Sequence, residues 1–128
     1  MKLLLDTQLL LWAAVSPAKL PLTARELLKN PQNELTFSAA SLWEIAIKSD
    51  LGREDFQVDA RVLRSGILDN GYKELGITGT HAVAVKGLLP IHKDPFDRIL
   101  VAQSMIEGIT LLTTDSIVAR YGATVRKI

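Results

Sequence analysis

The stretch Lys2-Leu3-Leu4-Leu5-Asp6-Thr7 sets three consecutive leucines directly before an acid. A short apolar run without polar alternation is typical of a strand that is buried on both faces, as in a parallel sheet. A carboxylate at the C-terminal end of such a strand points into the crevice where open α/β sheets bind ligands. Taken alone, the stretch favours the simpler interpretation that Asp6 caps the helix that follows. Other acids reaching the same crevice would favour a site instead.

The composition predicts a folded protein with one compact domain, residues 1–128. Hydrophobic residues make up 48% of the 128 and charged residues 23%, which is enough apolar surface for one core. The net charge is +1, from 15 Lys and Arg against 14 Asp and Glu, so no overall basic field indicates nucleic-acid binding, although a local patch is not excluded. The lack of cysteine excludes disulfides and thiolate metal sites and fits a cytoplasmic protein.

The N-terminus has the outline of a signal peptide but not its continuous apolar region. Asp6-Thr7-Gln8 interrupts that region, and the longest apolar run there spans only residues 9–15. A membrane span needs ~20 residues. We therefore expect a soluble protein with no membrane segment.

Segments typical of strands alternate with segments typical of helices along the whole chain. The predicted strands are residues 3–5, 34–38, 72–77, 109–113 and 124–126. The predicted helices are residues 9–14, 21–29, 38–50, 58–68, 78–86, 94–107 and 115–121. This alternation predicts an α/β fold in which helices cover both faces of a parallel sheet.

Four acids occupy positions from which they could share one crevice. Asp6 and Asp115 each follow a predicted strand, Glu44 lies inside an apolar helical segment, and Asp97 lies in the first turn of a helix. Glu44 has a competing interpretation, because Lys48 follows four residues later, at the spacing of a surface ion pair. Taken alone, Glu44 fits the outer face of its helix as well as a polar cleft.

The segment Asp94-Pro95-Phe96-Asp97-Arg98 contains the clearest helix start. Asp is a favoured N-cap and proline is favoured at the first helical position, so we interpret Asp94 as a helix cap. Asp97 is then the third helical residue, near the positive end of the helix dipole. A second acid in the same turn brings a like charge close, which becomes favourable where a cation binds nearby.

Carboxylates gathered in one place would specify a definite chemistry. Oxygen ligands without histidine or cysteine suit magnesium or manganese. Two such ions ~3.5–4 Å apart hold the attacking and leaving oxygens of a phosphodiester. Such chemistry needs no Ser/His/Asp triad, and we interpret His81 and His92 as surface or loop residues. Weaker candidates, for orienting water or contacting substrate phosphates, are Thr7, Thr113, Lys48 and Arg98.

Four segments follow one another in an order known from a protein family. They are residues 4–7 with Leu5-Asp6-Thr7, residues 38–48 with Trp43-Glu44-Ile45-Ala46, residues 92–103 with Asp94-Pro95-Phe96-Asp97-Arg98, and Leu112-Thr113-Thr114-Asp115. In these segments the chain resembles the PIN-domain family, and within it the VapC-type toxins of toxin–antitoxin pairs. The segments span nearly the whole chain, and together they are specific where each alone would be weak.

The resemblance implies a three-layer α/β/α fold with sheet order 3-2-1-4-5 and a magnesium-dependent endoribonuclease activity. Asp6, Glu44 and Asp97 match the three core acids of the family, and Asp115 matches its more variable fourth. Asp94 matches no core acid and stays a helix cap. The resemblance also implies a homodimer, an RNA substrate, and inhibition by a small VapB-like antitoxin.

Two alternatives from other functional classes stay open. A phosphoacceptor module of similar α/β design also places acids at strand ends around magnesium, but it usually has a pair of adjacent acids, whereas Thr7 and Gln8 follow Asp6. A catalytically idle binding scaffold is the second alternative, and the four intact acids count against it.

Overall fold

A five-stranded parallel sheet forms the centre of the protein, which we describe from a computed structural model covering residues 1–52 and 57–128. The strands are β1 (Lys2–Leu5), β2 (Glu34–Ser38), β3 (Lys73–Leu75), β4 (Thr110–Thr113) and β5 (Val125–Lys127). Their order in the sheet is β3-β2-β1-β4-β5, and every neighbouring pair is parallel. The predicted α/β fold and strand order are confirmed.

Helices connect the strands and cover the sheet. They are α1 (Thr7–Val15), α2 (Leu22–Lys29), α3 (Ala39–Asp50), α4 (Ala60–Asp69), α5 (Gly79–Ala84), α6 (Pro95–Glu107) and α7 (Ser116–Ala119). Short 3₁₀ turns at Pro17–Lys19 and Val85–Gly87 follow α1 and α5. Within the described ranges, no helix is both long and apolar enough to cross a membrane.

β1 is the central strand, as its three leucines predict. Leu3, Leu4 and Leu5 have no exposed area. Leu3 and Leu5 pack into the apolar cluster on one face of the sheet, and Leu4 packs into the cluster on the other. Successive side chains of a strand point to opposite faces, so one short run anchors both layers of helices. Burying each leucine contributes about 1.5–3 kcal/mol, which fixes the position of the residue that follows.

Capping side chains explain where two helices begin earlier or later than predicted. α1 begins at Thr7, before the predicted residue 9, because Asp6 Oδ1 accepts the backbone N–H of Leu9 at 2.8 Å. α4 begins at Ala60, after the predicted residue 58, because the Asp59 carboxylate caps it.

β3 is shorter than predicted, since it lies at the sheet edge and pairs with β2 over three residues only.

His81 is fully buried, so the expectation of a surface or loop residue was wrong for it. It lies in the first turn of α5, where its Nδ1 accepts the backbone N–H of Thr78 and the Thr78 hydroxyl accepts the backbone N–H of His81. Its Nε2 lies 2.9 Å from Glu107 Oε2 on α6. The ring therefore serves as a reciprocal cap that also ties α5 to α6.

Candidate active site

The four acids singled out in the sequence line one open cavity of about 430 Å³. The cavity lies beside the ends of β1 and β4, where the strand order reverses and open α/β sheets bind ligands. Its lining consists of Asp6, Thr7, Gln8, Leu11, Glu44, Lys48, Asp94, Asp97, Thr114 and Asp115. Helix α3 carries Glu44 into the cavity, and the start of α6 carries Asp94 and Asp97.

Asp6 both caps a helix and faces the cavity. Its Oδ1 accepts the Leu9 backbone N–H, and its Oδ2 accepts the Thr113 hydroxyl at 2.6 Å. Only 6% of the residue is exposed, and burial raises the pKa of its carboxyl. The two hydrogen bonds oppose that rise, while the nearby charges of Asp115 and Glu44 add to it. The two interpretations of Asp6 drawn from sequence are therefore compatible, because the residue that caps α1 also lines the cavity.

Glu44 contributes a buried oxygen that has no hydrogen-bond partner in the described part of the chain. Its Oε2 lies 2.7 Å from Lys48 Nζ, so the ion pair expected from the four-residue spacing is present. Its Oε1, however, is buried without a hydrogen-bond partner among the described residues. An unsatisfied buried oxygen costs free energy unless a ligand or water satisfies it. Glu44 therefore forms the expected ion pair with Lys48 and also lines the cavity.

Asp94 and Asp97 begin α6 side by side. Asp94 Oδ1 accepts the backbone N–H groups of Phe96 at 2.8 Å and Asp97 at 3.5 Å, which is the predicted cap. Burial raises the pKa of Asp97 to about 7, and the adjacent Asp94 charge adds to the rise. The nearby His92 opposes the rise in the pKa of Asp97, but burial and the neighbouring acids outweigh it, so the ionised form of Asp97 is disfavoured.

The hydroxyl groups of Thr7 and Thr113 are already engaged in hydrogen bonds within the protein. The Thr113 hydroxyl donates to Asp6 Oδ2 and accepts the backbone N–H of Asp115 at 3.0 Å, so it joins the ends of β1 and β4. The Thr7 hydroxyl donates to Ser41 Oγ at 2.9 Å and ties α1 to α3. Asp115 Oδ1 in turn accepts the backbone N–H of Ile117 and caps α7.

Arg98 lies outside the cavity lining, unlike the substrate contact that the sequence suggested. Its Nη2 donates to the Val85 carbonyl at 3.0 Å. Its Nη1 donates to the carbonyls of Leu89 and His92 and to Tyr121 Oη, at 3.1–3.3 Å. These contacts fasten the loop that precedes α6, so the guanidinium has a structural role. Sequence alone could not show this, because loop carbonyls leave no motif.

His92 is a member of the site that sequence reasoning missed. It is a loop residue, as expected, but its Nε2 lies 3.1 Å from Asp97 Oδ2 and 3.6 Å from Asp115 Oδ2. One ligand atom from each of these three residues lies within 4.8 Å of the others, a grouping that could hold a metal ion. The sequence feature that could have identified His92 as a site residue is its position two residues before the Asp94 cap.

The residues present fit a hard divalent cation. Five carboxylates line the cavity, and Lys48 is the one cationic side chain in the described lining. Burial and like charge raise the pKa values of Asp6 and Asp97, and Glu44 Oε1 lacks a partner in the described ranges. A cation would lower the cost of all three features, since Mg²⁺ and Mn²⁺ prefer carboxylate oxygens.

Comparison with known proteins gives a family and a fold. The sequence model of the PIN domain matches residues 3–123. A search of curated proteins found no significant match.

Three solved structures of similar fold come from toxin–antitoxin systems. VapBC2 from Rickettsia felis, bound to a DNA fragment from its promoter, contains a chain that matches with a TM-score of 0.75 at 14% identity, covering 100% of this chain and 99% of that one. VapBC-1 from nontypeable Haemophilus influenzae gives 0.68 at 14% identity, covering 99% and 98%. A toxin–antitoxin complex from Klebsiella pneumoniae gives 0.62 at 18% identity, covering 98% of each chain. At these identities the likeness shows the shared fold.

Proposed function

The chain belongs to the PIN-domain family, and from that premise we propose that it is a magnesium-dependent endoribonuclease, the toxin of a type II toxin–antitoxin pair. PIN domains are generally nucleases. The observation that carries the proposal is the buried Glu44 Oε1, which has no partner within residues 1–52 and 57–128 and belongs to a cavity that Asp6, Asp97 and Asp115 also line. Burying these carboxylates without a cation costs free energy. With a bound cation, the same carboxylates would form a site for metal-ion catalysis.

Asp6, Glu44, Asp97 and Asp115 would hold the cation, Mg²⁺ or Mn²⁺, directly or through water. When bound, the ion supplies Lewis-acid activation of water and neutralises charge on the phosphodiester. Asp6 is held at both its backbone and its side chain, since its N–H donates to the Leu112 carbonyl and its Oδ2 accepts the Thr113 hydroxyl. Rigid placement matters because ligand positions must hold to within about 0.5 Å of the productive geometry.

Lys48 is the residue best placed to contact an RNA phosphate. Its side chain is 49% exposed and lines the cavity, and its Nζ lies 2.7 Å from Glu44 Oε2. An ammonium in this position can attract the substrate backbone without reading its sequence. The roles of Thr7 and Thr113 are to position α3 and Asp6, because their hydroxyls already donate to Ser41 and Asp6.

The partner assignment extends the same proposal. The three solved structures described above come from toxin–antitoxin complexes, two of them VapBC systems, so we assign to this chain a small VapB-like antitoxin as its inhibitor. A homodimer and a cytoplasmic location complete the proposal. A reading frame for a small DNA-binding protein beside the gene would support the pairing.

The test is cleavage of total RNA by the purified protein, with mapping of the new 5′ ends. We expect cleavage with Mg²⁺, none with a chelator, and none from Asp6→Asn or Asp97→Asn. Undiminished cleavage by either variant would refute this site. Incubation with a small phosphodonor tests the phosphoacceptor alternative, which requires a stable aspartyl phosphate on Asp6; the two hydrogen bonds that Asp6 already accepts count against it.

A further inference from the structure

Trp43 on α3 is a large aromatic side chain that the fold leaves exposed. Tryptophan is highly buried on average in folded proteins, yet 61% of Trp43 is exposed. The ring is nevertheless held in place, because it packs edge-to-face with Phe96 at the start of α6, with ring centroids 5.2 Å apart and ring planes at 78°. Aromatic pairs in this arrangement are favourable beyond the area that they bury. An edge-to-face partner covers at most one face of the indole, so a face of this exposed ring is open to a ligand.

The aromatic pair lies beside the acidic cavity. Glu44 follows Trp43 in α3 and Asp97 follows Phe96 in α6, and both acids line the cavity. Adjacent Cα atoms are ~3.8 Å apart, so each ring belongs to a residue directly next to a cavity acid. Consecutive side chains on a helix point about 100° apart, which places the acids in the described lining and the rings outside it. The pair is therefore at the rim of the cavity and outside the proposed ligand set.

Two exposed lysines come from the same parts of the chain as the aromatic pair. Lys48 lies on α3, lines the cavity and has a side chain that is 49% exposed. Lys93 is exposed in the loop before α6, three residues before Phe96. Surfaces that bind single-stranded nucleic acid typically combine positive side chains, which contact the backbone, with aromatic rings on which the bases stack. The rim of the cavity has both kinds of side chain.

A second copy of the chain is the competing occupant of this face. Ile47 and Leu51 are 39% and 67% exposed and follow Trp43 at four-residue spacing, so they extend its apolar surface along α3. A two-fold contact pairs a surface with itself, and here it would bring the positive charges of Lys48 and Lys93 towards their own counterparts. An RNA strand instead supplies negative phosphates, so the charges at the rim favour RNA.

We propose that Trp43 is a stacking platform for an unpaired base of the RNA strand, next to the phosphate that lies at the acidic cavity. The inference deepens the proposed nuclease function and rests on it. The faces of a base inside a duplex are covered by its neighbours, so this platform selects single-stranded or locally unpaired RNA. Every base has a π-face, so the platform tolerates different sequences. Phe96 acts through Trp43, since it fixes the orientation of the indole.

The first test detects contact with Trp43 through its fluorescence. The probe is single-stranded oligoadenylate of about 12 nucleotides, and an abasic strand of the same length is its control. The parent protein is Asp97→Asn with Mg²⁺, in which cleavage of the probe is expected to be lost. We expect oligoadenylate to quench the emission of the parent, and we expect no quenching when Trp43→Phe leaves only Trp12 to emit. Equal quenching in the parent and in Trp43→Phe, or none in the parent at saturation, would overturn the inference.

The second test measures the affinity of the same parent for both strands, each carrying a dye, by fluorescence anisotropy. Trp43→Ala should weaken binding of oligoadenylate about 5-fold or more, as expected when one stacked base loses its aromatic partner, whereas Trp43→Phe keeps a ring and should stay within about threefold. The abasic strand should bind the parent and Trp43→Ala alike. An equal loss of affinity for the abasic strand would show that Trp43 acts through the fold, and the inference would then be wrong.

Leu22→Ala in the same parent is the matched control for removing an exposed apolar side chain. Leu22 is 72% exposed on α2 and lies outside the described cavity lining, so its truncation should leave both affinities unchanged. Sedimentation equilibrium tests the competing occupant. A dimer that Trp43→Ala dissociates, together with no quenching by oligoadenylate in the parent, would assign the ring to a contact between copies and refute the platform.

The failure of the platform and the failure of the proposed function are distinguishable. If oligoadenylate does not quench Trp43 but the wild type still cleaves total RNA with Mg²⁺, the platform alone is refuted. A wild-type protein that cleaves no RNA would overturn the proposed function itself.

Discussion

Replacing Asp97 by asparagine is expected to stabilise the metal-free protein even though it should abolish cleavage. Burial and the Asp94 charge raise the pKa of Asp97 from its usual 3.8 to about 7. A rise of this size corresponds to roughly 4 kcal/mol of lost stability when the group is ionised. The side chain is 22% exposed, so water screens part of the effect, and asparagine forgoes the favourable charge at the start of α6. We expect a net gain of about 1–2 kcal/mol, or a rise in Tm of about 3–8 °C.

The sign of the pH dependence follows from the same pKa. Because the folded-state pKa of Asp97 lies above the unfolded value, the folded state binds the proton more tightly. The free energy of unfolding of the wild type should therefore decrease as the pH rises from about 4 to about 7. Above about pH 7, Asp97 should contribute little further change. The advantage of asparagine should be complete at about pH 8 and reduced at about pH 5.

Calorimetric melting of chelator-treated protein at both pH values measures the effect. Adding Mg²⁺ should raise the Tm of wild type more than that of Asp97→Asn, since the ion offsets the charge that the variant lacks. Asp69→Asn is the matched control, because Asp69 is exposed on α4 and should change stability by only a few tenths of a kcal/mol. The reasoning fails if metal-free Asp97→Asn at about pH 8 melts no higher than wild type.

Three further substitutions separate the roles of neighbouring groups. Asp6→Asn keeps an oxygen for the Leu9 N–H and removes a buried charge, which offsets the loss of the Oδ2 acceptor for the Thr113 hydroxyl, so calorimetry should show a Tm close to that of wild type while Mg²⁺-dependent cleavage is lost; a large drop in Tm would contradict this. Thr113→Val leaves Asp6 Oδ2 and the Asp115 N–H without their partner, and urea denaturation should show a loss of about 1–3 kcal/mol. Arg98→Lys should speed amide hydrogen exchange in residues 88–93, because an ammonium cannot reach all four acceptors; unchanged exchange would show that the loop does not depend on the guanidinium.

The parts of the fold that were predictable are those fixed by local pattern. β1 follows from three adjacent leucines, and the start of α6 follows from Asp94-Pro95, since each pattern has one favourable local structure. The sheet order came from the family resemblance, because hydrophobic periodicity does not specify which strands pair.

The parts that were missed depend on contacts between distant residues. Arg98 was a reasonable phosphate contact by composition, yet it binds the Val85 carbonyl, thirteen positions away. His81 looked like a loop residue, yet Glu107 on α6 and the Thr78 cap bury it. In both cases the partner is a carbonyl or carboxylate whose position only the folded chain defines.

An acid that lines this cavity can cap a helix and also be available to bind a ligand. Asp6, Asp94 and Asp115 each cap a helix, and each does so with Oδ1. A carboxylate offers about four lone-pair directions, so one oxygen can be fixed by backbone N–H groups while the other stays directed at the cavity. Capping therefore supplies the rigidity that a metal site requires. Glu44 and Asp97 do not cap a helix in the described part of the chain. The Lys48 ion pair leaves Glu44 Oε1 without a partner there, and the start of α6 does not offset the raised pKa of Asp97, so the two together are the strongest indication that the cavity suits a cation.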